Sequence, residues 1–198
     1  MALEPEWIGL SELVDGITLV IQNLAAEKGL LFVKEIGFSE DDFAFVDRFK
    51  IQDLLMNLLT NAVQYTPEGG TVSLSVIPIE PPAEGKNIRI LVSDTGVGIS
   101  EEFMPNLYEP FAQESDPRLK SSGGTGLGLY IVRKIITLMN GTITVKSQKD
   151  KGTEFSVCLP VEIEKRLRTA SPAIGCTFDF SGKKVLLVED NAVNTEIA

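Results

Sequence analysis

Between Leu10 and Leu24 the apolar side chains Leu10, Leu13, Val14, Ile17, Val20, Ile21 and Leu24 recur at helical spacing, and Gly29 supplies a stop. This pattern predicts an amphipathic helix. Leu30 to Ile36 and the shorter Phe43 to Val46 read as strands. Asp47 is placed to cap a second helix that runs to Tyr65 and ends at Thr66-Pro67-Glu68-Gly69-Gly70. Thr71 to Ile79 and Asn87 to Ser93 are strand-like and flank Pro81-Pro82-Ala83-Glu84-Gly85, which predicts a hairpin. Ser100, followed by Glu101 and Glu102, has the form of a cap and acidic first turn of a short helix. Leu127 to Met139 predicts a further helix closed by Asn140-Gly141. Thr142 to Lys146 and Thr153 to Leu159 then form a second hairpin around Lys149-Asp150-Lys151-Gly152. Helices and antiparallel hairpins without regular βαβ alternation predict an α+β, two-layer α/β sandwich, with a mixed, mostly antiparallel sheet covered by helices on one face.

Composition narrows this picture. A chain of 198 residues, 43% of them hydrophobic, supports one well-formed core and a small appendage. The division expected is a main domain at 1–163, a linker at 164–182 and a short separate start at 183–198. A formal charge of -10 argues against a nucleic-acid partner, because neutralising phosphates needs clustered Lys and Arg. Cys158 and Cys176 form neither a disulfide framework nor a zinc pattern. There is no run of about 18 apolar residues, and the start does not have the layout of a signal peptide. A cytoplasmic location is expected, with any membrane anchor lying elsewhere in a parent protein. The sequence contains no histidine, so its chemistry runs without imidazole.

Three segments are candidates for chemistry. On the second helix Asp53, Asn57, Asn61 and Gln64 stack along one face, opposite Ile51, Leu55, Leu58 and Ala62. Such a stripe is often only a solvated face, but two amides one turn apart also offer paired oxygens to a hard cation such as Mg²⁺. Asp94-Thr95-Gly96-Val97-Gly98-Ile99 follows an apolar strand. Its glycines permit a tight turn against a flat ligand, and its aspartate can accept from an amine; a plain Asx turn is the alternative. In Gly123-Gly124-Thr125-Gly126-Leu127-Gly128-Leu129, glycines lead into a helix whose free N–H groups can converge on phosphate oxygens. A flexible hinge is the alternative there, and the Lys-Ser/Thr ending of a P-loop is missing.

Taken together, these segments resemble the catalytic and ATP-binding domain of histidine kinases, within the gyrase, heat-shock chaperone and mismatch-repair ATPase superfamily and its Bergerat ATP-binding fold. The resemblance runs from Leu10 to Pro160. Asn57-Leu58-Leu59-Thr60-Asn61-Ala62 is similar to the N box, Asp94 to Ile99 to the first glycine box, Phe111-Ala112-Gln113 to the F box, and Gly124 to Leu129 to the second glycine box.

The resemblance implies that Asn61, with Asn57, holds Mg²⁺ against the phosphates of ATP as the catalytic and metal-binding pair. It implies that Asp94 accepts from the exocyclic amine of adenine and that Tyr65 lies near the base. Gly96 and Gly98 would shape the pocket, and Thr153 would reach the base through water. Gly124, Thr125, Gly126, Leu127, Gly128 and Leu129 would close the nucleotide side, with Arg118 and Lys120 reaching phosphates from the lid. Phe111 would anchor that lid by packing. Gln64 stands where the family often has a basic residue, and Asp53 where it often has Gln, so neither receives a role.

The implied activity is transfer of the γ-phosphoryl group to a histidine on a dimerisation domain outside this sequence. A gyrase- or chaperone-type ATP hydrolase and a non-enzymatic nucleotide-binding module are the alternatives. Lys183 to Asn191 resembles the first strand and acidic loop of a receiver domain, where Glu189 and Asp190 would help bind Mg²⁺. Receiver and dimerisation domains are thus the expected partners, and the chain alone is expected to be a monomer.

Overall fold

The computed structural model describes residues 3–83, 86–114 and 125–166. In chain order the elements are β1 (Glu6–Gly9), α1 (Leu10–Glu27), β2 (Leu31–Ile36), β3 (Asp42–Val46), α2 (Arg48–Tyr65), β4 (Thr71–Ala83) and β5 (Lys86–Asp94). A 3₁₀ turn at Met104–Asn106, α3 (Gly128–Leu138), β6 (Thr142–Gln148), β7 (Gly152–Leu159) and β8 (Glu162–Lys165) complete them.

Five strands form the main sheet in the order β2-β4-β5-β7-β6. Only the β2–β4 pair is parallel. Side chains alternate across a strand, so one face collects Val72, Leu74, Val76, Ile88, Ile90, Val92, Val157 and Leu159, all buried, and the three long helices cover that face. The expected sandwich is therefore the observed one.

The helices begin and end for local reasons. Asp47 caps α2, its carboxylate accepting from Lys50 N at 3.1 Å, while its second oxygen accepts from Glu4 N at 3.0 Å. α1 ends in a Schellman arrangement, with Gly29 at φ +68° and bonds from Leu30 N to Ala25 O and from Gly29 N to Ala26 O. α3 closes the same way, but Asn140 takes the left-handed position at φ 54°. α2 inserts Leu54, Leu55, Leu58 and Leu59 between sheet and neighbours with at most 1% exposure, which makes it the central helix.

Four expectations are corrected. Val20 and Leu24 lie off the buried face of α1, which is formed by Leu10, Leu13, Val14, Ile17, Thr18, Ile21 and Ala25. The helix expected after Ser100 is a turn leading to three 3₁₀ residues, although Ser100 Oγ does accept from Phe103 N at 3.3 Å. β1 and β8, not foreseen, flank β3 in a second, antiparallel sheet. Residues 164 and 165, read from sequence as linker, are the last two of β8. Beyond them Arg166 lays its guanidinium over Trp7, 4.4 Å from the ring centroid, and donates its backbone N–H to Asp41 O. The rest of the expected linker and the receiver-like segment at 183–198 lie outside the described residues.

Tyr108 packs on the core beneath Arg133 of α3, whose guanidinium is 5.0 Å from its ring centroid. Its hydroxyl is buried without a hydrogen-bond partner among the described residues, and burial raises its pKa against the opposing pull of Arg133. An unpaired buried hydroxyl costs stability that a phenyl ring of the same shape does not. Tyr108→Phe is expected to raise the unfolding free energy by about 1 kcal/mol in urea titration; a loss of similar size would mean that the hydroxyl is satisfied in solution.

Candidate functional site

α2, the loop after β5, the start of α3 and the β6–β7 hairpin enclose a cavity of about 330 Å³. Its two ends differ in chemistry. At one end the polar stripe of α2 faces the first turn of α3. Asn57 Nδ2 donates to Asp53 O at 2.7 Å, an i to i−4 bond that engages one N–H of the amide and leaves Oδ1 turned toward Gly128. A Cβ on Gly128 would stand 2.9 Å from Asn57 Oδ1 and 3.7 Å from Asn61 Nδ2, so glycine lets the helix start approach both amides. Amide oxygen beside unpaired helix N–H groups is a setting for an anion and its counter-cation.

The other end is built from strand register. Asp94, the last residue of β5, pairs with Thr153 of β7, and its Oδ1 accepts from Gly96 N at 2.8 Å. Burial raises the Asp94 pKa above the usual 3.8, and the N–H groups of Gly96 and Thr153 pull it partly back. Ser147 Oγ accepts from Ile99 N at 2.8 Å and donates to Gly152 O at 3.0 Å. With its single proton spent, Ser147 must receive the Thr153 hydroxyl proton across their 3.0 Å contact. Thr153 Oγ1 is thereby left with acceptor capacity, as is the outer oxygen of Asp94. Asp94 and Thr153 thus offer acceptors at this end of the cavity.

Glycine geometry holds that end together. Gly98 has φ +64° and lies so close to Gln148 O that a side chain would collide with it. Gly96 lies against Tyr65 O with the same consequence, and Val97 N donates to Tyr65 O at 3.1 Å. The loop is thus wedged between the end of α2 and the β6–β7 turn.

Of the residues singled out by sequence, Asn57, Asn61, Tyr65, Asp94, Gly98, Thr125, Gly126, Gly128, Leu129 and Thr153 meet in the one cavity. Gly96 stands behind Asp94, and Leu127 is the residue before α3, with its N–H 3.4 Å from Thr125 Oγ1; neither lines the wall. Arg118, Lys120 and Gly124 lie outside the described residues. Phe111 is not a packing anchor: its ring is 71% exposed, and its contribution is a backbone bond from Phe111 N to Gly126 O at 3.0 Å.

Sequence reasoning missed Ser147, whose role depends on a partner 48 residues away. It also missed Glu114, a cavity-lining carboxylate paired with Lys149 at 2.8 Å. Lys28 was missed as well. Its ammonium donates to Val63 O at 2.8 Å and Gln64 O at 2.6 Å, closing the last turn of α2, and burial lowers its pKa.

Residues 46–163 match the family described as histidine kinase-, DNA gyrase B- and HSP90-like ATPase. The chain belongs to this family. The autoinducer 2 sensor kinase/phosphatase LuxQ of Vibrio parahaemolyticus is 34% identical over 185 residues, which make up 90% of this chain and 21% of that protein. The chain thus spans about a fifth of this relative's length. Full-length ShkA in complex with AMPPNP superposes with a TM-score of 0.69 at 26% identity, over 86% of this chain and 34% of that one. Histidine kinase ThkA in complex with response regulator protein TrrA gives 0.62 at 26% identity, over 80% of this chain and 42% of that one. Within the family the chain is the catalytic, ATP-binding domain of a two-component sensor histidine kinase. No helix among the described residues is long and apolar enough to cross a membrane.

Proposed function

We propose that this domain binds Mg²⁺-ATP and donates the γ-phosphoryl group to a histidine on a dimerisation domain outside this sequence, which has no histidine of its own. The observation that carries the reading is a single cavity with the Asp94 and Thr153 acceptors at one end and amides with a helix start at the other. A 6-amino group is a donor and suits the outer oxygen of Asp94, with Thr153 Oγ1 accepting directly or through a water. A 6-oxo group would oppose those two acceptors with a third, so adenine is favoured over guanine. The phosphates then lie along α2 toward Gly128, where the first N–H groups of α3 face them.

The donor set at that end fits Mg²⁺. Asn57 presents oxygen rather than nitrogen, and Asn61 is its neighbour one turn on. No group of three or more His, Cys, Asp or Glu that could hold a metal exists among the described residues, so the anionic ligands would come from the phosphates, as Mg²⁺ commonly requires. When bound, the ion would neutralise developing phosphate charge. In the transfer itself the β–γ bridging bond breaks, ADP leaves, and a P–N bond forms to the imidazole. The protein's share of that step is positioning. A hydrolase would instead need a base on α2, and Asp53, the only acid among residues 48–65, is exposed and outside the cavity.

The proposal extends to a receiver-type segment at 183–198, joined to the 1–163 domain by the stretch between them, to a receiver as partner in the phosphorelay, to a cytoplasmic setting, and to a monomer when isolated. Calorimetry with AMPPNP and Mg²⁺, followed by ³²P transfer from ATP to a helical hairpin carrying the acceptor histidine, tests the core of the reading. Expected are micromolar binding that GTP does not displace and a labelled hairpin. Phosphate release without labelling would favour the hydrolase, and binding without either would favour the non-enzymatic module.

A further inference from the structure

Glu114 is the only carboxylate besides Asp94 among the described residues lining the cavity. Its side chain is 15% exposed, and Oε1 is held by Lys149 Nζ at 2.8 Å, leaving Oε2 without a bonded partner among the described residues. Lys149 ties the carboxylate to one end of the cavity. Its turn packs on Gly98, whose added Cβ would lie 3.1 Å from Lys149 Cα, and the next residue donates from Asp150 N to Val97 O at 2.8 Å. Glu114 therefore stands near the Asp94 end and away from the amides that face Gly128.

We propose that Glu114 is a specificity-determining residue that reads the ribose, accepting a hydrogen bond from a sugar hydroxyl through Oε2. This rests on the nucleotide reading above. A carboxylate along the phosphates would repel them, and the amine edge of the base is already met by Asp94 and Thr153. The sugar lies between base and phosphates, and its hydroxyls are the donors left for the open oxygen of this half-buried carboxylate. Lys149 is the positioning residue, fixing the carboxylate plane so that one oxygen faces the sugar.

The test is calorimetric binding of ADP, 2′-deoxyADP and 3′-deoxyADP with Mg²⁺ to the intact chain. The wild type is expected to prefer ADP about tenfold over at least one deoxy analogue, the size of a hydrogen bond to a charged group. Glu114→Ala is expected to lose that preference by weakening ADP alone, and unchanged deoxy binding shows that its site is folded. Lys149→Met shrinks the preference to a few-fold and Lys149→Arg restores it. Equal binding of all three ligands by the wild type, or a preference that survives in Glu114→Ala, overturns the inference and leaves the nucleotide reading standing. No ADP binding by the folded wild type sinks both.

Discussion

Asp94→Asn is expected to lower adenine-nucleotide affinity by at least about 100-fold, because the substitution does more than remove a charge. Gly96 N donates to Oδ1 at 2.8 Å, so the amide oxygen of asparagine must take that position to keep the loop bond. Its NH₂ group then occupies the place of the outer oxygen, where donor would face the donor of the adenine amine. ITP, which carries a 6-oxo group, is expected to lose least, and calorimetry with both nucleotides would show it. Equal losses for ATP and ITP would mean that Asp94 does not contact position 6.

The same substitution has an opposite sign for stability. Burial raises the Asp94 pKa, so the native state binds the proton more tightly than the unfolded chain. The stability contributed by protonation is fully present below about 3.8 and is lost as pH rises through the higher native value. At pH 7 the ionised carboxylate is therefore a cost that asparagine removes. The thermal midpoint of Asp94→Asn at pH 7 should be no lower than that of the parent, and the gap should narrow as the pH falls toward 4. A variant several degrees less stable at pH 7 would show that the bonds from Gly96 and Thr153 outweigh desolvation. Binding, on this account, is what keeps an acid at a position where folding disfavours it.

The parts of the fold legible in the sequence were those set by local pattern. α2 could be read from its period, its aspartate cap and its Thr-Pro stop because all three lie within one segment. β1 and β8 could not. Each has four residues, β8 carries a single apolar side chain among three charged ones, and both exist only because β3 lies between them. Val20 and Leu24 fit a helix yet are 45% and 37% exposed, because a helix period does not say which of two adjoining apolar stripes the core will take. The site divides the same way. Asn57, Asn61 and Asp94 came from motifs that carry their own geometry, whereas the links from Ile99 to Ser147 and from Lys28 to the end of α2 join segments 35 to 48 residues apart. Phe111 was misjudged because an aromatic suggests packing, and its ring is directed outward at a backbone φ of 63°.

Gly152→Ala is expected to be the most damaging glycine-to-alanine change among the described residues, although sequence marks this glycine only as a turn residue. Gly152 has φ +99°, and the added Cβ would run into the carbonyl oxygen of Asp94 and stand 2.9 Å from Thr95 Cα. Those atoms are backbone, so no rotamer relieves the contact. Positive φ and the collision together should cost at least about 3 kcal/mol. For a domain of this size that lowers the thermal midpoint by about 6–12 °C. The relief available is to push β5 away from β7 at the Asp94–Thr153 pair, so nucleotide binding should fail at temperatures where the variant is still folded. Gly69→Ala is the matched comparison: its φ is +80°, but nothing lies within 4 Å of the added Cβ. That variant should lose only about 1 kcal/mol and bind normally. If the two variants unfold together and both bind ADP, then the close approach of the β6–β7 turn to Asp94 is not what shapes the acceptor end of the cavity.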